Sequence, residues 1–91
     1  MRSVRVVAHG RVQGVGYRWF VRDAAESEGV TGWVRNRRDG TVEATLHGDE
    51  VAVKSVLEEL RRGPLASDVR TLDVEECADE SSAEFDIRPT E

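Results

Sequence analysis

Three glycines in seven residues, Gly10, Gly14 and Gly16, lead directly into Tyr17 and Arg18. Glycine lets the backbone bend so that successive N–H groups converge on one point, a nest for a tetrahedral anion. The segment Gly10-Arg11-Val12-Gln13-Gly14-Val15-Gly16 joins an alternating apolar run to a helical pattern, so its last amides fall at a helix N-terminus. The first N–H groups of a helix have no partner within it, and the helix dipole turns its positive end toward them. Arg18 adds a planar fork that can grip two phosphate oxygens at once. Two better-known phosphate loops are excluded. A dinucleotide loop needs a third glycine three residues after Gly16, where Trp19 stands. A nucleoside-triphosphate loop closes with Gly-Lys-Ser/Thr, and the first half of the chain contains no lysine. On spacing alone, a structural glycine turn and an anion cradle stay equally open.

The elements that must position this loop follow from hydrophobic period. Val4, Val6 and Ala8 share one face of an alternating run from Val4 to His9, which predicts a strand that the glycines break. Tyr17, Phe20, Val21, Ala24 and Ala25 recur at helical spacing, and that helix stops at Gly29. A second strand is expected from Trp33 to Arg37, then a hairpin turn at Asp39-Gly40. In a third strand Val42, Ala44 and Leu46 alternate with Glu43, Thr45 and His47. Asp49-Glu50 bring the negative charge that a helix start favours. Val53, Val56, Leu57 and Leu60 form the stripe of that second helix, ended by Gly63-Pro64. Val69 to Glu76 alternates again, Ala78 to Ala83 reads as a polar loop, and Phe85-Asp86-Ile87 is a last short strand. The order predicts an α+β, ferredoxin-like βαββαβ sandwich: an antiparallel sheet with both helices on one face. That fold serves many unrelated functions, so the site has to decide.

At 91 residues and 10.1 kDa the chain has room for one domain, taken as residues 1–91. No apolar run reaches the length of a membrane span, and the first residues do not read as a signal peptide. One cysteine, Cys77, cannot form a disulfide within the chain, which points to a reducing cytoplasm. Cys77, His9 and His47 are too dispersed for a recognisable metal-ligand motif, so neither metal nor cofactor is expected. The net charge of −5 hides an asymmetry: residues 1–38 hold eight arginines against three acids, residues 39–91 five basic residues against fifteen acids. An acidic whole argues against a general nucleic-acid or membrane binder. A basic first half fits a local anion site, or merely solvated faces.

The residues then become familiar. Gly10-x-Val12-Gln13-Gly14-Val15-Gly16-Tyr17-Arg18 resembles the first signature of the acylphosphatases. Gly32-Trp33-Val34-Arg35-Asn36, followed by Gly40-x-Val42 and Gly48, is similar to their second signature at matching spacing. The Gly63-Pro64 stop is also similar to the family's arrangement, whereas Phe85-Asp86-Ile87-Arg88-Pro89 departs from members that end in an aromatic residue. The resemblance implies hydrolysis of an acyl phosphate to carboxylate and inorganic phosphate. It implies a phosphate-binding role for Arg18, a water-orienting role for Asn36, and a phosphate cradle in the amides of Gly14, Val15, Gly16, Tyr17 and Arg18. Partners would be a small acyl phosphate and inorganic phosphate, product and inhibitor, with no nucleic acid or membrane; a monomer is expected.

Such chemistry asks little of a protein. A carboxylate leaving group has a conjugate-acid pKa of about 4 and departs unprotonated at neutral pH. Positioning and charge stabilisation dominate a loose phosphoryl-transfer transition state. Amides and one guanidinium can supply that charge, and an amide side chain such as Asn36 can hold a water. Taken alone, Asn36 reads first as satisfying backbone groups beside the hairpin, and Trp33 reads as core. Arg11, Arg37 and Arg38 read as solvated flanks that could attract an anion. Two rivals remain: an RNA-binding sheet, weakened by only five aromatic residues and by Glu43, and a regulatory or carrier domain that binds an anion without turnover.

Overall fold

The computed structural model describes residues 1–78 and 83–91. The chain runs β1 (Arg2–Arg11), α1 (Tyr17–Ser27), β2 (Thr31–Asn36), β3 (Val42–Gly48), α2 (Glu50–Arg62), β4 (Asp68–Glu76) and β5 (Phe85–Ile87). The five strands form one sheet in the order β4-β1-β3-β2-β5. The expected sandwich forms. The first four strands are antiparallel to their neighbours, while β5 joins β2 in parallel, so the sheet is mixed.

Alternation explains which face is covered. Val4, Val6 and Ala8 lie opposite Leu46, Ala44 and Val42, and Val34 lies opposite Ala44. All are buried in one core with Val21 and Ala25 of α1 and Val53, Val56, Leu57 and Leu60 of α2. Both helices therefore pack on one face. On the other face Glu43, only 4% exposed, is held between Arg5 and Arg35. Trp33 is buried as expected, but it sits outside the core cluster and beneath guanidinium groups of Arg35 and Arg88, at 4.8 and 4.6 Å. Stacked cations, not helices, shield it from water.

Element ends shift in instructive ways. β1 continues through Gly10 to Arg11 instead of stopping at His9, and its register with β4 slips between His9 and Gly10. Gly10 marks a bulge within a strand, a feature that sequence does not separate from a turn. β2 begins at Thr31 and ends at Asn36, two residues earlier and one residue earlier than expected. The polar loop expected from Ala78 to Ala83 falls mainly on residues 79–82, outside the described residues. Among the described residues no helix is long and apolar enough to cross a membrane.

Gly32 fixes how closely β2 approaches β3. It has a φ of +141°, and an added Cβ would stand 2.0 Å from the Thr45 carbonyl oxygen. Gly32→Ala is expected to cost about 3 kcal/mol, because both the backbone angle and the contact must be relieved. Urea unfolding checks this, with a lower midpoint at unchanged slope as the expected result.

Candidate active site

The loop between β1 and α1 is anchored at Val12, which is 1% exposed. Beyond it Gly14 and Gly16 take φ of +73° and +79°, and a Cβ on either would meet nothing within 4 Å. The left-handed backbone, not crowding, is what selects glycine there. The space beside both residues is open. The first helical bond of α1 runs from the Phe20 amide to the Gly16 carbonyl at 3.0 Å. The amides of Gly14, Val15, Gly16, Tyr17 and Arg18 donate to no acceptor among the described residues. Gly16 caps the helix without a side-chain bond, and no acid stands in the first turn. At α2, in contrast, Asp49 occupies the cap position and Glu50 the first turn. The positive end of α1 is thus left unneutralised.

Arg18 is half-buried in the first turn and forms no ion pair among the described residues. One turn on, Arg22 approaches Asp23 and Glu26 at 3.7 and 3.9 Å. Tyr17 divides its labour. Its hydroxyl donates to the Leu60 carbonyl at 2.9 Å, pinning the start of α1 to the end of α2. Burial pushes the phenol above its ordinary pKa, so it stays neutral, and only its backbone amide serves the open side.

Asn36 is the last residue of β2, opposite Val42. Its Oδ1 is buried and has no hydrogen-bond partner among the described residues. A buried carbonyl oxygen left unpaired is costly and invites a donor from outside the chain. Beyond Asn36 the chain turns tightly. The Arg37 amide donates to Thr41 O at 2.9 Å, and Asp39 accepts from both the amide and the hydroxyl of Thr41, at 3.0 and 2.6 Å. Those bonds hold the Asp39 carboxyl below its ordinary pKa.

One contact escapes sequence reasoning. The Gln13 side chain crosses from the glycine loop to this turn, where Nε2 donates to Arg37 O at 2.7 Å and Thr41 O at 2.8 Å. It brings the loop carrying the open amides to the strand end carrying Asn36. No spacing rule signals such a contact, because every residue has a carbonyl to offer.

The flanking arginines divide. Arg37 lies 3.8 Å from Asp39, while Arg11 and Arg38 are exposed. His9 meets Asp73 at 3.0 Å and His47 meets Ser3 at 2.6 Å. Among the described residues no three His, Cys, Asp or Glu side chains are grouped to hold a metal ion. A cavity of about 440 Å³ lies at the far end of β1, lined by Arg2, Ser3, His47, Glu50 and Glu76, and includes none of the loop.

What this arrangement can do is bind a phosphate-sized anion at open amides beside an unpaired guanidinium. The family model described as acylphosphatase matches residues 4–87. An acylphosphatase of Mesorhizobium japonicum is 49% identical over 75 residues, spanning 82% of this chain and 80% of that protein. Among solved structures, the acylphosphatase from Bacillus subtilis superposes with a TM-score of 0.94 at 39% identity, covering 97% of this chain and 99% of that one. An acylphosphatase from Coxiella burnetii gives a TM-score of 0.92 at 34% identity, covering 96% and 92%.

Proposed function

The chain belongs to the acylphosphatase family and is a hydrolase of acyl phosphates; from that premise we propose how its residues divide the reaction. The amides of Gly14, Val15, Gly16, Tyr17 and Arg18 cradle the phosphoryl group, and the Arg18 guanidinium grips two of its oxygens. Asn36 holds the attacking water through its amide. The water oxygen forms a bond to phosphorus as the bond to the acyl oxygen breaks, and the carboxylate leaves with that electron pair. The water's proton passes to a phosphoryl oxygen. One observation carries this reading: open amides at an unneutralised helix start adjoin an arginine with no carboxylate partner among the described residues. The unpaired Asn36 Oδ1 supports the water's place, since a water can donate to it.

Every group named lies on one chain, so this reading calls for no second copy. We take residues 1–91 to act as one domain and a monomer, and a lone cysteine fits a reducing cytoplasm. The cradle supplies fixed positive potential without a metal, and a carboxylate leaving group needs no acid. Hydrolysis of acetyl phosphate is therefore expected to persist in excess chelator. A simple alkyl phosphate monoester, whose leaving alkoxide needs a proton, is expected to turn over about 10³-fold more slowly or worse. Steady-state phosphate release on both substrates checks this. Loss of activity on chelation, restored by a divalent ion, would overturn the metal-free reading. Phosphate binding without hydrolysis of acetyl phosphate would favour a regulatory or carrier domain.

A further inference from the structure

Gln13 Nε2 spends both protons on backbone carbonyls, those of Arg37 at 2.7 Å and Thr41 at 2.8 Å. Neither carbonyl depends on it. Arg37 O already accepts from the Gly40 amide at 3.1 Å, and Thr41 O from the Arg37 amide at 2.9 Å. Asp39 separately satisfies the amide and hydroxyl of Thr41. The turn therefore closes without Gln13, and its two bonds add something else.

They add a direct link, where the sheet joins the two only through Val42 of β3, paired with Ala8 on one side and with Asn36 on the other. The cradle follows β1 and Asn36 ends β2, yet β1 and β2 are not neighbours, because β3 lies between them. No ladder hydrogen bond joins the strand before the cradle to the strand bearing Asn36. Gln13 immediately precedes the first cradle amide, and Arg37 immediately follows Asn36. One side chain thus passes the start of β3 and ties the two halves of the site across 24 residues of sequence.

We propose that Gln13 is a positioning residue that sets the separation between the phosphate cradle and Asn36, and with it the line of the water's attack. The inference rests on the reading that Asn36 holds the water. Reactant geometry is unforgiving, and a misplacement of about 1 Å can cost on the order of 10²-fold in rate.

The test begins with Gln13→Met, which keeps length and approximate shape but removes both donors. With acetyl phosphate, kcat is expected to fall about 10- to 100-fold. The inhibition constant of inorganic phosphate is expected to change less than about twofold, because the cradle and Arg18 remain. In a double-mutant cycle, Gln13→Met combined with Asn36→Ala is expected to be no slower than Asn36→Ala alone, since Gln13 acts through Asn36. Additive losses, weakened phosphate inhibition or an unchanged kcat would each overturn the proposal.

Gln13→Glu supplies a second readout if the methionine variant fails to fold. As a carboxylate it faces two carbonyl oxygens and repels them; once protonated it can donate to one. The charged groups of this turn are Asp39, which stays ionised because Thr41 holds its pKa down, Arg37 at 3.8 Å from it, and His9, whose charge also bears on Asp39. All three are shared with wild type and so cancel in a ratio. The ratio of variant to wild-type kcat is therefore expected to rise as pH falls from about 7 to about 5, toward the carboxyl's own range. A flat ratio would overturn the proposal. Normal turnover by Asn36→Ala would remove the reading of Asn36 and the inference with it. A slow Asn36→Ala beside a normal Gln13→Met would remove the inference alone.

Discussion

Arg18→Ala is expected to lower kcat/KM for acetyl phosphate by about 10³-fold or more, and to weaken inhibition by inorganic phosphate at the same time. The guanidinium would grip the phosphoryl group before, during and after transfer, so its loss strikes ground and transition states alike. Stability is expected to survive. Arg18 has no ion pair to lose among the described residues, and its side chain is only partly buried. A matching thermal melt for variant and wild type separates lost binding from lost fold. Arg18→Lys is expected to recover little, because a point charge on a flexible stem cannot reproduce two parallel hydrogen bonds. Substantial rescue by lysine would mean that charge alone matters and that the paired geometry assigned to Arg18 is wrong.

Asn36→Ala is expected to separate the two constants that Arg18→Ala moves together. Its partner would be the water, so kcat is expected to fall on the order of 10²-fold or more while the inhibition constant of inorganic phosphate stays near normal. The inhibition constant is the proper measure of affinity here, because KM equals a dissociation constant only when chemistry is slow. Removing an amide whose Oδ1 is buried and unpaired in the free protein is not expected to cost stability. A gain of a few tenths of a kcal/mol would fit, as relief of an unsatisfied polar group. Near-normal turnover in a folded Asn36→Ala would leave Asn36 as a turn residue only.

The fold was legible because its covered face is written at period two in the strands and at helical spacing in the helices. Val4, Val6 and Ala8 fall where alternation places them, as do Val53, Val56, Leu57 and Leu60. Gly10 misleads for a physical reason. A glycine that lets β4 pass close by looks the same in sequence as one that ends a strand, and a Cβ at Gly10 would lie 2.2 Å from Asp68 O. The direction of β5 was equally hidden, since three residues carry no signal of which way they run beside β2. At the candidate site, the glycines announced the left-handed loop, and Arg18 stands in the helix's first turn as its place in the sequence required. Gln13 remained silent because its acceptors are main-chain carbonyls, which no residue type marks.

A binding site made of main-chain donors, as proposed for this loop, would have an unusual relation to mutation. The side chain at Val15 can change without deleting a single N–H, since every residue except proline carries one. Arg18 is the exception, because its guanidinium would be used as well as its amide. Gly14 and Gly16 are constrained by backbone angle alone, because the space around each would accept a Cβ. Tyr17 is constrained by its bond to Leu60 on the opposite side of the helix, not by the face it offers to an anion. Drift at a side chain such as that of Val15 can therefore alter the loop's polarity and bulk while its backbone path, and with it the amides, persists. If the loop holds phosphate as proposed, such a chain could vary the rim beside the acyl group and keep the phosphate apparatus, so that selectivity and catalysis would be free to evolve on separate residues.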